Sequence, residues 1–189
     1  ILMATVGGGA HNLASDDAAT VAGGWSNVAA APGAFVGGGG RNDTPTSGGN
    51  QVRGAAATVG GGYNNVITTT ANYAFIGGGQ RNFIMALHGT IAGGYGITVT
   101  GEYAAVVGGR NNEARGGYAM IGGGSSNTAS AADTVIGGGS GNIASALYAT
   151  IGGGGGNNAL ALYTTIGGGS LNETIDSFAT IGGGNGNVA

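Results

Sequence analysis

A valine or isoleucine followed by glycines recurs along this chain at a nearly constant interval. Nine of the eleven intervals have the same length, fifteen positions, and the other two, between Val36 and Ile76, are this period with insertions of eight and two. Such a short unit in twelve copies, forming one array over residues 1–189, predicts coils that stack on one another. The recurring residue, called the anchor below, is Val6, Val21, Val36, Val59, Ile76, Ile91, Val106, Ile121, Ile136, Ile151, Ile166 and Ile181.

The residues before each anchor alternate as in a β-strand. Two residues before the anchor, on the same face of an extended chain, nine copies carry alanine, and threonine stands between them in seven copies. The third residue before the anchor is aromatic in six copies: Tyr73, Tyr103, Tyr118, Tyr148, Tyr163 and Phe178. We therefore predict one strand per copy, running from the aromatic to the anchor, with alanine and anchor facing inward and the aromatic facing outward.

Two glycine positions follow every anchor without exception. The second and third residues after the anchor are glycine in all twelve copies, as in Gly153 and Gly154 after Ile151. A position that accepts only glycine is one where φ is positive or where another backbone comes very close. The pattern therefore predicts a sharp corner after each strand, at which both glycines are required.

Six residues after the anchor stands an asparagine in eleven of the twelve copies, the exception being Ile97. Asparagine tolerates the left-handed backbone region and bonds to nearby backbone, so we predict a polar turn here. In stacked coils these amides would form a ladder along the axis. The members singled out are Asn127, Asn142, Asn157 and Asn172.

A second strand with a small inward-facing residue follows each asparagine, and it completes the predicted coil. The predicted fold is all-β, a parallel β-solenoid of about twelve coils, each fifteen residues long. Such thin coils gain stability only by stacking. Because aromatic residues and others such as Phe35, Phe75 and Met120 face outward, we expect further burial in a bundle of parallel chains, most simply three.

Composition limits the function. Charged residues are only 7% of the chain against about 25% in ordinary domains, the net charge is −3, and five arginines without lysine form no basic stripe. Nucleic acid is therefore not an expected partner. No apolar run approaches the ~20 residues that span a bilayer, so we expect no membrane insertion of this segment.

Catalytic motifs are not indicated. No lysine follows the glycine strings in the way that a phosphate-binding loop requires. His11 and His88 lie at different positions of the repeat, some five coils apart, so they cannot share a metal ion or a catalytic site within one chain. We expect a non-enzymatic protein without cofactor.

The irregular positions are candidate contact sites for a ligand or receptor. The largest insertion, predicted as a surface loop over residues 43–54, contains Arg53 and follows Arg41. Trp25, Tyr63 and Tyr95 stand four residues after their anchors, on the side of the coil near this loop. The loop is either a recognition loop or a tolerated insertion. The rings either stack on sugars of a cell-surface glycan or protein receptor, or pack against a neighbouring chain.

The repeat resembles the head repeats of trimeric autotransporter adhesins and the related shaft repeats of bacterial and phage tail-fibre-like proteins. The similarity lies in the Ile and Gly of strings such as "YAMIGGGSSNTA" (118–129) and "YTTIGGGSLNET" (163–174), with the Ala of the first string two residues before its Ile and with Asn127 and Asn172 at the turn. The glycine cluster is heavier here than in the adhesin pattern, and asparagine stands where serine is common there.

This resemblance implies a left-handed β-roll that assembles as a homotrimer. It further implies an extracellular fibre on a cell surface or virion, with an adhesive or receptor-binding role. Because the chain starts and stops within a repeat, we expect it to be part of a longer shaft. The alternative is a structural filament or surface coat, a homopolymer without a specific ligand.

Overall fold

The computed structural model describes residues 3–40 and 48–189. The fold is all-β, a parallel β-solenoid of about 11 turns, and no helix occurs in these two ranges. The chain divides into two compact units, Ile1–Gly96 and Ile97–Ala189. The predicted stacking of short parallel strands is thus confirmed.

In the first unit every strand is two residues long. Its strands form two parallel sheets, one in the order β1-β3-β5-β7-β9-β11 and the other in the order β2-β4-β6-β8-β10. Their bounds are β1 Thr5–Val6, β2 Leu13–Ala14, β3 Thr20–Val21, β4 Val28–Ala29, β5 Phe35–Val36, β6 Gln51–Val52, β7 Thr58–Val59, β8 Val66–Ile67, β9 Phe75–Ile76, β10 Phe83–Ile84 and β11 Thr90–Ile91.

The second unit repeats this arrangement. One sheet has the order β13-β15-β17-β19-β21-β23 and carries the anchors, and the other has the order β12-β14-β16-β18-β20-β22. The bounds are β12 Thr98–Val99, β13 Ala105–Val106, β14 Glu113–Ala114, β15 Met120–Ile121, β16 Thr128–Ala129, β17 Val135–Ile136, β18 Ile143–Ala144, β19 Thr150–Ile151, β20 Asn158–Ala159, β21 Thr165–Ile166, β22 Glu173–Thr174 and β23 Thr180–Ile181. In both units the sheet that carries the anchors is called the first sheet below, and the other is called the second sheet.

The core of each coil is thin and regular. Ala149 and Ile151 of one coil are fully buried, as is Ala144 from the preceding strand of the second sheet. Within each unit, each anchor lies on the next, as in the pair Ile151 and Ile166. Since burying an isoleucine side chain stabilises a fold by about 1.5–3 kcal/mol, the stacked anchors are the main apolar contribution of each coil. The predicted inward alternation of alanine and anchor is confirmed.

The strands are shorter than predicted, because the aromatic residue before each alanine lies in a turn. Tyr148, Tyr163 and Phe178 have φ values of 60°, 57° and 65°, in the left-handed region. The N–H of Ala149 bonds the carbonyl of Ala146 across this turn, at 3.1 Å. The chain therefore reverses direction at the aromatic, and the prediction that the strand begins there is wrong.

Only one of the two invariant glycines is required by the fold of its own chain. Gly154 has a φ of +90°, and a Cβ on it would overlap with the carbonyl oxygen of Gly169 in the next coil. Gly153 is absent from the positive-φ positions, and a Cβ there would meet nothing within 4 Å. The prediction of two constrained glycines per corner is correct for the third residue after the anchor and wrong for the second at Gly153, although Gly38 and Gly123 do have positive φ.

The asparagines also differ from expectation in their backbone. The left-handed residue is the one before the asparagine, as at Ser126 with a φ of 57° and Leu171 with 56°. Asn127 and Asn172 are not among the residues with positive φ. Their side chains bond to the backbone as predicted, but the reversal of the chain occurs one residue earlier.

The largest insertion lies earlier than predicted. A count of six from Val36 reaches Asn42, which lies outside the described residues, whereas Asn50 occupies the ladder and its N–H bonds the Oδ1 of Asn27 at 2.9 Å. Gln51–Val52 form β6, and Gly54 is buried. The added residues therefore precede Asn50, and the boundary of the loop is not Gly54.

Candidate functional site

The asparagine ladder is built in the same way in coil after coil. The Nδ2 of Asn157 donates to the carbonyl oxygens of Gly153, at 2.9 Å, and of Gly169, at 3.1 Å. Its Oδ1 accepts from the N–H of Asn172 at 3.0 Å. Asn127, Asn142 and Asn172 are equally buried and make equivalent bonds. One amide thus closes its own corner and fixes the next coil, which is a structural role.

Trp25 lies on the corner of the first unit, half-buried. Its ring meets the His11 ring edge-on, with 4.9 Å between centroids and 68° between planes. Its Nε1 is buried and has no hydrogen-bond partner among the described residues. A buried indole N–H without an acceptor costs roughly 1–3 kcal/mol of stability.

Tyr63 and Tyr95 lie on the same corner, two coils apart. Both are backbone-paired to Gln80, which stands between them, and both are half-buried. The ring of Tyr63 lies so close to Gly48 that a Cβ on Gly48 would overlap with it. At the ~4.8 Å spacing of parallel strands the two tyrosines are about 10 Å apart along the stack.

An arginine that the sequence did not single out completes this row. The Nη1 of Arg81 donates to the hydroxyl of Tyr95 at 3.0 Å, and its Cζ lies 6.0 Å from the centroid of that ring. Arg81 stands one position further along its coil than the aromatic column. Along the sequence, Arg81 and Tyr95 are separated by one position less than a full coil. This spacing places them side by side in neighbouring coils, and it could have identified Arg81 from the sequence.

The two arginines predicted at the site have different outcomes. Arg53 is exposed and follows β6 directly, at the end of the second-sheet strand that is remote from the aromatic corner. Arg41 lies outside the described residues. The corner row therefore consists of Trp25, Tyr63, Tyr95 and Arg81, and this set is called the corner row below.

The aromatics at the other corner form a stacked column. Tyr163 lies between Tyr148 and Phe178, with centroid distances of 4.7 and 5.2 Å and interplanar angles of 15° and 2°. Tyr103 and Tyr118 stack at 5.1 Å, and in the first unit Tyr73 stacks on His88 at 5.0 Å. Because the ring faces cover each other, mainly ring edges are offered to the surroundings, which does not suit stacking on sugars.

An ion pair lies on the outer face of the second sheet. Arg115 contacts Glu113 through two nitrogen–oxygen distances of 2.6 Å. The hydrogen bond to Glu113 and its negative charge raise the pKa of Arg115. Among residues 3–40 and 48–189, no group of three or more histidine, cysteine or acidic side chains is placed to hold a metal ion.

In the same part of the chain there is no helix of the length and apolarity needed to cross a membrane. No protein-family model matches this chain, and no curated protein matches it either.

Proposed function

We propose that this chain is a non-enzymatic shaft segment of an extracellular fibre, on a cell surface or a virion, that contributes to adhesion or receptor binding. In this proposal the solenoid is left-handed, comprises twelve coils and assembles as a homotrimer. These finer features come from the repeat count, the outward apolar residues and the resemblance to adhesin and tail-fibre repeats.

The corner row is the observation that carries the adhesive role. Trp25, Tyr63, Tyr95 and Arg81 lie on one corner of a unit that otherwise has few large side chains at this position. Half-buried rings beside a guanidinium are typical of surfaces that bind sugars, because a ring face packs against C–H groups while arginine donates to hydroxyls.

The test is retention of the labelled full chain on arrays of mammalian and bacterial glycans. We expect the combined variant Trp25→Ala/Tyr95→Ala to lose at least about tenfold in retention, since a single buried aromatic contact contributes more than about 1.4 kcal/mol. The control is Tyr163→Ala, which removes an aromatic from the stacked column at the other corner. Its retention should equal that of the unmodified chain.

A second variant separates the insertion from the rings. Deleting residues 42–49 restores the standard interval between Val36 and Val59. If only this deletion lowers retention, the ligand is bound by the insertion and the role of the rings is refuted. If the unmodified chain is retained on no glycan and attaches to no cell, the adhesive role is refuted in favour of a structural filament.

A further inference from the structure

The outer face of the first sheet carries no charge. It is formed by the residue before each anchor and the two residues after it, and is called the anchor face below. None of the twelve copies places a charged residue at any of these three positions. The outward positions of the second sheet, in contrast, carry Arg53, Glu113, Arg115 and Glu173.

Large apolar side chains lie uncovered on the anchor face. Phe35 and Phe75 in the first unit are 38% and 43% exposed, and Met120 and Val135 in the second are 45% and 38% exposed. The Phe75 ring lies beside Gly77 of its own strand end rather than over the core. The centres of protein–protein interfaces have this composition, with exposed apolar side chains and few charged residues.

In four coils, the glycine two residues after the anchor is explained by nothing within its own chain, whereas Gly38 and Gly123 at the same position have positive φ. A Cβ on Gly153 would meet nothing within 4 Å, and the same holds for Gly8, Gly93 and Gly168. These four residues are also absent from the positive-φ positions. Glycine at such a position leaves the backbone open to close approach by another backbone.

The backbone at this glycine is also incompletely bonded. The carbonyl of Gly153 accepts from Asn157, whereas its N–H donates no hydrogen bond to the described residues. Gly153 is half-buried, and it has no side chain to shield that N–H. A row of such donors, one per coil, repeats at the ~4.8 Å strand spacing along each unit.

We propose that the anchor face is the surface on which a second copy of this chain packs, parallel and with its coils in register. A second copy presents the same surface at the same ~4.8 Å spacing, so every coil of a unit finds an equivalent partner. Because neither face brings a charge, no desolvated ion is left unpaired at the contact. This inference rests on the proposed function, in which several chains form one fibre, and it identifies the face through which the chains contact one another.

Two matched threonines test the choice of face. Thr150 is the first residue of β19 on the anchor face, and Thr128 is the first residue of β16 on the second sheet; both are outward and half-buried. Light scattering should give the unmodified chain and Thr128→Lys the same mass, a multiple of 17.8 kDa. Thr150→Lys places like charges on facing copies, so it should fall to the mass of one chain with an unchanged circular dichroism spectrum.

Two glycines test the close approach. Gly153 and Gly155 both lack positive φ, and a Cβ on either has no neighbour closer than 3.9 Å. Gly153→Val should dissociate the assembly, whereas Gly155→Val should leave it intact, because only Gly153 lies on the anchor face. If both valine variants keep the assembled mass, the proposed close contact is refuted.

The orientation is tested separately. The chain has no cysteine, so single spin labels at Thr20→Cys and Thr180→Cys report only distances between copies. Short distances at both positions support parallel packing in register, and long distances at either refute it. An unmodified chain with a mass of 17.8 kDa refutes this inference, whereas glycan retention, measured independently, decides the adhesive role.

Discussion

Asn157 illustrates how one amide replaces several side chains in a coil too thin for a larger core. Its two donors and its acceptor are all used, within its own corner and toward the following coil, while its backbone N–H bonds the Oδ1 of Asn142 in the preceding coil. A carboxylate in its place would lack the donors, and a longer amide would not fit a side chain that is fully buried between glycine carbonyls. The column accepts asparagine for reasons of length and bonding capacity.

Asn157 and Asn158 offer a matched comparison at the residue scale. Asn157→Ala leaves the carbonyls of Gly153 and Gly169 and the N–H of Asn172 without the amide. We expect the free energy of unfolding to fall by about 3 kcal/mol, since each unsatisfied buried group costs roughly 1–3 kcal/mol. Denaturant titration would measure this change.

Asn158→Ala is the control for this comparison. Its side chain points outward from β20 and is half-buried, so its replacement should change stability by less than about 0.5 kcal/mol. Equal losses for the two variants would contradict the structural role assigned to the ladder.

At the scale of the element, stacking of the aromatic rings offsets the free-energy cost of the left-handed backbone at their turns. A tyrosine with φ near +60° loses roughly 1–2 kcal/mol relative to ordinary backbone, and Tyr148 and Tyr163 both adopt this conformation. An aromatic pair contributes about 0.5–1.5 kcal/mol beyond its buried area. The column therefore offsets much of the strain at its turns, provided that neighbouring coils both carry rings.

A double-mutant cycle isolates this contribution. For Tyr148→Asn and Tyr163→Asn, whose rings stack at 4.7 Å, we expect a coupling free energy of about 0.5–1.5 kcal/mol in unfolding. Asparagine is the replacement because it tolerates the left-handed turn. The control cycle pairs Tyr118 with Tyr148, which are separated by the coil of Asp133, and its coupling should be near zero. A larger coupling in the control would show that the rings do not act through stacking.

The fold was predictable from the sequence to the level of the coil, because period and inward alternation are imposed by stacking at every repeat. Alanine and anchor columns could be assigned without coordinates. The left-handed turn at Tyr148 could not, since a tyrosine there is typical of a strand and its backbone is held partly by a hydrogen bond to Ala132 in the preceding coil. The choice of Asn50 over Asn42 also depends on contacts between coils that spacing does not record.

The candidate site was predictable only in part. Trp25, Tyr63 and Tyr95 were found because they interrupt a column of small residues. Arg53 was predicted within the loop because the insertion was assigned too late in the chain. The added residues precede Asn50, so Arg53 follows β6 of the second sheet instead. Arg81 was missed because its own column holds polar residues in several copies, and only its contact with Tyr95 distinguishes it.

At the scale of the whole molecule, the described interior contains no titrating group. Every buried polar side chain within residues 3–40 and 48–189 is asparagine or threonine. The displaced pKa is that of Arg115, raised by Glu113. An interaction that raises a pKa in the folded state contributes its full stabilisation at any pH below the pKa of the unfolded chain. That stabilisation is lost only as the pH rises through the raised pKa. For arginine that window lies far above neutrality.

We therefore expect the thermal midpoint of the chain to change by less than about 2 °C between pH 6 and pH 9, equivalent to under about 1 kcal/mol for a chain of this size. Differential scanning calorimetry at constant ionic strength would measure it. A midpoint that moves by more than about 5 °C across this range would contradict an interior held by neutral amides.

The constant separation of bonded residues also has a consequence for inheritance. The bonds of the ladder and the strand pairs of the second unit join residues fifteen positions apart, as Asn157 to Asn172 and Ile151 to Ile166. A gene segment of fifteen codons that is duplicated or lost by recombination therefore leaves every remaining partner in place. Length can change between generations in whole coils, without any compensating substitution elsewhere in the chain.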